Sequence, residues 1–302
     1  MNEIIKTNLL TKTYHEVLAV NAISLQVNQG EIYGFLGLNG AGKTTTIRML
    51  LGMIKPSNGD VTILGNNVKN VSGAFWNKIG YLVEMPYSYP NLTVQENLEL
   101  IRKLRGLKQK KCVPEIMELL NLMEYKNRKA KDLSLGNGQR LGLAKALIHK
   151  PEILILDEPT NGLDPSGIHE IREYLIHLSK NEGVTIFISS HILSEISKMA
   201  HRIGIIHQGE LKQEINSVEL ENLCQKKLII TVKELEDAQN ILVQNNIEFQ
   251  LFNKKEMIIS DLKYINSPEQ IARLLIQNNC SLTQLHVVEE DLESYFLRTI
   301  NS

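Results

Sequence analysis

Cysteine is nearly absent: three in 302 residues, Cys112, Cys224 and Cys280, scattered and in no metal-ligand spacing. An odd, dispersed set argues against a disulfide framework or a cysteine-ligated metal, and reads as packing thiols of a reducing cytoplasm. Long hydrophobic runs are missing too. No stretch approaches the ~18 apolar residues of a membrane-spanning helix. The opening MNEIIKTNLLTKTYHE has no apolar core followed by a cleavage site, so no signal peptide is expected. Neither charge dominates: 33 Lys plus Arg face 34 Asp plus Glu, a net charge of −1, which argues against general nucleic-acid binding. Internal repeats and low-complexity segments are also lacking. What is present, 43% hydrophobic and 22% charged residues, fits an ordinary globular protein of about two domains.

Along residues 1–216 short apolar strands alternate with helical stretches. GEIYGFLG (30–37) reads as a strand running into a glycine turn, KTTTIRMLLGM (43–53) as a helix, and PEILILDEPT (151–160) as a buried strand. IHEIREYLIHLSK (168–180) has helical periodicity, and GVTIFISSH (183–191) and HRIGIIHQGEL (201–211) add further strands. Buried strands alternating with helices indicate an α/β fold with a mainly parallel sheet. Residues of about 90–150 are mostly helical, a subdomain inserted into that fold. From 217 to 302 the order β-α-β-β-α-β and a last helix suggest a small α+β, ferredoxin-like accessory domain.

GLNGAGKTT (37–45) matches G-x-x-x-x-G-K-[ST] at Gly37, Gly42, Lys43 and Thr44, with a strand before it and a helix after it. Its glycines let main-chain N–H groups of Asn39, Gly40, Ala41, Thr44 and Thr45 curl around phosphates, helped by the helix N-terminus. Lys43 would reach the β- and γ-phosphates and the Thr44 hydroxyl a Mg²⁺ ion. A chance glycine turn is the plain alternative, and the flanking strand and helix argue against it. ILILDEPT (153–160) delivers Asp157 and Glu158 to a strand C-terminus, where ligands bind in open α/β sheets. Asp157 would hold the metal directly or through water; Glu158 would take a proton from the attacking water, or polarise it. His191 ends a third strand on the same edge, where it would contact the γ-phosphate. Glu84, in GYLVEMPYSYP (80–90), is a carboxylate at a strand end that must be paired, metal-bound or exposed.

Together these residues resemble the ATP-binding subunits of ABC transporters over residues 1–215. LSLGNGQRLGLAKAL (133–147) resembles the family's signature segment and keeps Ser134 and Gly136 of LSGGQ, with Leu135 and Asn137 replacing glycine and glutamine. NGLDP (161–165) resembles the D-loop, bringing in Asp164, and SSH (189–191) the switch histidine. TKTYHEVLAV (11–20) resembles the segment whose aromatic residue, here Tyr14, stacks on adenine. The resemblance implies a P-loop NTPase fold, ATP hydrolysis with Mg²⁺, a nucleotide-dependent homodimer sandwiching two ATP, and membrane permease subunits at the cytoplasmic face of the membrane. Glu84 stands where most of the family carry glutamine, in a loop touching the metal and the membrane subunits. In this it resembles the E-loop ATPases of bacitracin and lantibiotic self-immunity exporters. An exporter of a drug, ion or lipid is the alternative; a soluble ATPase of ribosomes or DNA fits less well, because such proteins carry two cassettes or a long coiled-coil insertion.

Overall fold

The computed structural model describes residues 2–84, 87–253 and 256–301. The chain forms two compact units, Met1–Val218 and Glu219–Ser302.

The first unit opens with strands β1 (Glu3–Tyr14), β2 (Val17–Ile23) and β3 (Gln26–Asn28). Next come β4 (Ile32–Leu36), helix α1 (Lys43–Leu50), β5 (Asn58–Ile63) and β6 (Asn66–Asn67). β1 pairs antiparallel with β2, β3 and β5, making a five-stranded sheet that the expected alternation of strands and helices does not include. The reason lies at Leu9, whose φ of 45° coincides with a register shift between Asn8 and Thr11. A bulge breaks the period of two that marks a strand in sequence.

The chain continues through β7 (Ile79–Leu82), helices α2 (Val94–Leu104), α3 (Cys112–Leu119) and α4 (Leu135–Leu147), then β8 (Ile153–Asp157). α5 (Pro165–Glu182), β9 (Thr185–Ser190), α6 (Leu193–Ile196), β10 (Arg202–His207) and β11 (Glu210–Asn216) complete the unit. The second sheet runs β11-β10-β4-β9-β8-β7, parallel except for β11. Every residue of β4, β8 and β9 is buried, as continuous apolar strands covered on both faces require. Phe187 anchors the layer beneath, stacked on Tyr33 at 5.6 Å and tilted against Phe35 at 5.3 Å. This is the α/β architecture of a P-loop NTPase. α2 is closed by a capping box in which Thr93 and Glu96 satisfy each other's main-chain N–H groups.

The second unit comprises α7 (Leu220–Leu223), β12 (Lys226–Val232), α8 (Leu235–Gln244), β13 (Gln250–Leu251) and β14 (Glu256–Ile259). It ends with α9 (Leu262–Asn266), α10 (Pro268–Gln277), β15 (Leu282–Glu289) and α11 (Leu292–Asn301). Its sheet order, β13-β14-β12-β15, is antiparallel throughout. The second of the four strands expected in this unit is only Gln250–Leu251, because Ile247 just before it is drawn into the core formed by Leu228, Leu242 and Met257. Cys224 and Cys280 are buried and Cys112 is half-buried, and burial pushes all three thiols up, away from reactivity.

His149, just beyond α4, carries a pH signature. Its Nε2 lies 3.1 Å from the Ile79 carbonyl, which can only accept, so Nε2 holds the proton; Nδ1 is buried without a partner among the described residues. Burial first, and Arg105 second, hold its pKa down at about 4. The unfolded chain therefore binds more protons between pH 6.5 and 4, and stability falls as pH drops through that window. His149→Gln is expected to remove roughly 2–3 kcal/mol of the loss between pH 6.5 and 4. Urea unfolding of both proteins at the two pH values measures the difference.

Candidate active site

The phosphate loop follows β4 and leads into α1. A Cβ on Gly37 would lie 2.6 Å from the Ile206 carbonyl, and one on Gly42 (φ 109°) 2.7 Å from the Ala19 carbonyl, so both positions exclude a side chain. The loop is pinned from outside where Gly209 N–H donates to the Ala41 carbonyl at 2.9 Å. Asn39 and Gly40 are exposed at its crown, and Thr45 is half-buried on α1.

Lys43 is almost fully buried. Its Nζ donates to the Gly37 carbonyl at 2.6 Å and the Leu38 carbonyl at 3.3 Å, and pairs with Glu158 Oε1 at 3.1 Å. The other Glu158 oxygen lies 2.8 Å from His191 Nδ1. One carboxylate is thus held between the phosphate-loop ammonium and the imidazole at the end of β9. Thr44 Oγ1 donates to Asp157 Oδ2 at 2.7 Å, and Ser189 Oγ to Asp157 Oδ1 at 2.5 Å. These groups meet because β4, β9 and β8 are neighbours in one sheet, with Leu36 beside Ser190 and Asp157 beside Ser189. Their C-terminal ends form the ligand edge of a parallel sheet.

Glu84 follows β7 with φ at 56° and accepts from Arg48 of α1 at 2.7 Å. Both side chains are well exposed, 38% for Arg48 and 54% for Glu84, so the ion pair contributes about 1 kcal/mol at most. Such a partner is easily exchanged. Glu84 lines a cleft of about 430 Å³ with Thr44, Gln139, Asp157 and Glu158. It also lines a groove of about 890 Å³ that includes Trp76, Tyr81, Leu104, Arg105 and Lys145. Lys145 fixes the loop beyond Glu84 through the Tyr87 carbonyl and Ser88 Oγ, the latter at 2.8 Å, and burial lowers its pKa to about 8.

The other residues expected to contact nucleotide lie outside that cleft's lining. Ser134 caps α4, its Oγ accepting from Asn137 N–H at 3.3 Å; the hydroxyl proton stays available for a second partner. Gly136 follows in the first turn of α4, so close to Gly162 that a Cβ would meet its carbonyl at 2.9 Å. Asp164 caps α5, accepting from Gly167 N–H at 3.1 Å. Tyr14, at the end of β1, is 40% exposed with the Lys12 ammonium 4.9 Å over its ring. Ser189, Arg48 and Gln139 join the site without having been singled out in sequence; only Ser189 carries a local signal, as part of SSH.

A hard, all-oxygen set of Thr44, Asp157 and the nearby Glu84 suits Mg²⁺. Among the described residues no three His, Cys, Asp or Glu side chains form a closed metal cage. That is the pattern of Mg²⁺ at phosphate sites, where one or two protein ligands are completed by water and phosphate oxygens.

The family model for "ABC transporter" matches residues 20–161. Bacitracin transport ATP-binding protein BcrA of Bacillus licheniformis is 41% identical over 99% of this chain and 98% of its own length. The chain belongs to the ABC transporter family. This ABC ATPase is also 37% identical to lantibiotic transport ATP-binding protein SrtF of Streptococcus pyogenes, over 74% of this chain and 97% of SrtF. Among solved structures, the dimeric bacterial ABC transporter cassette MJ0796 superposes with a TM-score of 0.67 at 29% identity, over 71% of this chain and 99% of the cassette. The chain is an ATP-binding, ATP-hydrolysing subunit of an ABC transporter. No described helix is long and apolar enough to cross a membrane.

Proposed function

We propose that this ABC ATPase energises export of a bacitracin-like or lantibiotic peptide antibiotic through membrane permease subunits, protecting the cell. The observation that carries the substrate class is the end-to-end similarity to bacitracin transport proteins, which includes the C-terminal unit. At the chemical step, Lys43 and the main-chain N–H groups of residues 39–45 hold the triphosphate. Thr44 and Asp157 hold Mg²⁺, with Glu84 contacting the metal itself or a group that does. The ion, when bound, offsets negative charge on the β- and γ-phosphates. Glu158 takes a proton from the water whose oxygen attacks the γ-phosphorus, as ADP leaves. His191 steadies the second Glu158 oxygen and reaches toward the γ-phosphate.

Two copies would sandwich two nucleotides, with Ser134 and Gly136 of one copy facing the phosphate loop of the other and Tyr14 against adenine. Support for the metal-to-permease link comes from Glu84, which borders both the nucleotide cleft and the Trp76–Tyr81–Leu104 groove. Exchange of Glu84 between Arg48 and the metal site would tell the groove whether nucleotide is loaded, and the groove is where a permease helix would seat.

The test is peptide sensitivity of a deletion strain, complemented by the wild-type chain or by Glu84→Ala, with co-purification of membrane subunits. Loss of resistance on deletion, partial rescue by Glu84→Ala and full rescue by Glu84→Gln are expected. Unchanged sensitivity to every bacitracin-like and lantibiotic peptide tried would refute the substrate assignment and leave the ATPase standing.

A further inference from the structure

Glu158 adopts a left-handed backbone, φ 49°, which costs a non-glycine residue about 1–2 kcal/mol. Its carboxylate nevertheless has to point one way, between Lys43 and His191. Three hydrogen bonds hold its main chain. The N–H donates to Ser189 Oγ at 3.1 Å, and the carbonyl accepts from Asn161 N–H at 3.1 Å. The third comes from elsewhere in the chain: Gln139 Nε2, on α4, donates to the same carbonyl at 3.0 Å.

Gln139 is unusual for a polar residue near a helix start. It is only 3% exposed and lies on the face of α4 turned toward β8 and the cleft rather than toward solvent. A buried amide is retained at a cost unless its hydrogen bonds are made, and this one is directed at the strained residue. α4 touches the same turn at another point. A Cβ on Gly162 would come within 2.4 Å of Leu135 Cδ2, so Leu135 occupies the room that the glycine leaves. The helix start and the 158–162 turn are therefore packed and hydrogen-bonded as one piece.

We propose that Gln139 is a positioning residue for hydrolysis, holding the left-handed Glu158 peptide so that the carboxylate keeps its aim at the attacking water. This rests on Glu158 as the proton acceptor. Loss of the Gln139 bond leaves Asn161 and Ser189 in place, so the peptide relaxes toward ordinary φ values only part of the time. Rate should suffer while nucleotide affinity does not, because the Gln139 amide donates to the Glu158 carbonyl rather than to the phosphate loop.

Gln139→Met, close in volume but without a donor, is expected to lower kcat about five- to tenfold with KM for ATP within about twofold, one neutral-to-moderate hydrogen bond's worth of rate. Gln139→Glu, which sets a carboxylate oxygen against the carbonyl, is expected to lower kcat further. In a Glu158→Gln background, single-turnover hydrolysis should be unaffected by Gln139→Met, since the amide acts through that carboxylate. Gln139→Asn, one methylene too short to reach, substitutes for Met if that variant does not fold, with the same expected loss. Wild-type kcat in Met and Asn, a change confined to KM, or equal losses in both backgrounds would overturn the proposal. Wild-type turnover in Glu158→Gln itself would instead overturn the assignment of the base, so the two failures are distinguishable.

Discussion

Glu158→Gln is expected to lower steady-state ATP turnover by about 10²–10⁴-fold, the range for removing a positioned general base, while leaving ATP binding near wild type. The reasoning is geometric. The Gln side chain keeps the shape of Glu158, and its amide oxygen can still accept from Lys43 Nζ, which now stands 3.1 Å from Oε1. What it cannot do is accept a proton. Phosphate release under saturating ATP measures the first quantity, and equilibrium binding of ATP the second. Turnover within a fewfold of wild type would remove Glu158 from the role of base. Because His191 touches the other carboxylate oxygen at 2.8 Å, His191→Ala should cost less than Glu158→Gln: it frees one oxygen to rotate without removing the proton acceptor.

Lys43→Ala should weaken ATP binding about 10- to 100-fold, the loss expected for a charge-assisted contact worth about 1.5–3 kcal/mol. It carries a second consequence, read without nucleotide. Glu158 Oε1 is buried, and among the described residues the Lys43 ammonium is its one partner. Removing the ammonium leaves that oxygen's charge uncompensated, and a buried unpaired charge is costly. Lys43→Ala is therefore expected to lower the thermal midpoint of the nucleotide-free protein, and Glu158→Gln in the same chain to restore most of it. Recovery of stability without recovery of ATP affinity would separate the two tasks of the ammonium. A Lys43→Ala protein as stable as wild type would mean that Glu158 takes up a proton or turns to solvent when its partner is lost.

Much of this molecule is legible from local pattern. The glycines of 37–42 can be read as a tight phosphate loop because a side chain at Gly37 or Gly42 collides with backbone, and ILILD reads as a buried strand because continuous apolar residues suit nothing else of that length. The strand–helix order of residues 226–301 is likewise written in alternating and 3.6-residue periods. Where the period is broken, at the Leu9 bulge in β1, a twelve-residue strand and the sheet it centres escape notice.

Contacts between distant residues are another matter. The sequence by itself determined which side chains stand at strand ends: Lys43 and Thr44 after β4, Asp157 and Glu158 after β8, His191 after β9, Glu84 after β7. Only the tertiary structure decided that β4, β9 and β8 lie side by side, so that Thr44 meets Asp157 across 113 residues. It also decided that Arg48 takes Glu84 and that Gln139 turns inward to the Glu158 carbonyl. The physical reason is range. Backbone torsion and side-chain periodicity act over a few residues and leave their mark in the sequence. Strand order and helix docking are set by the collective burial of apolar faces, and no short segment carries that information.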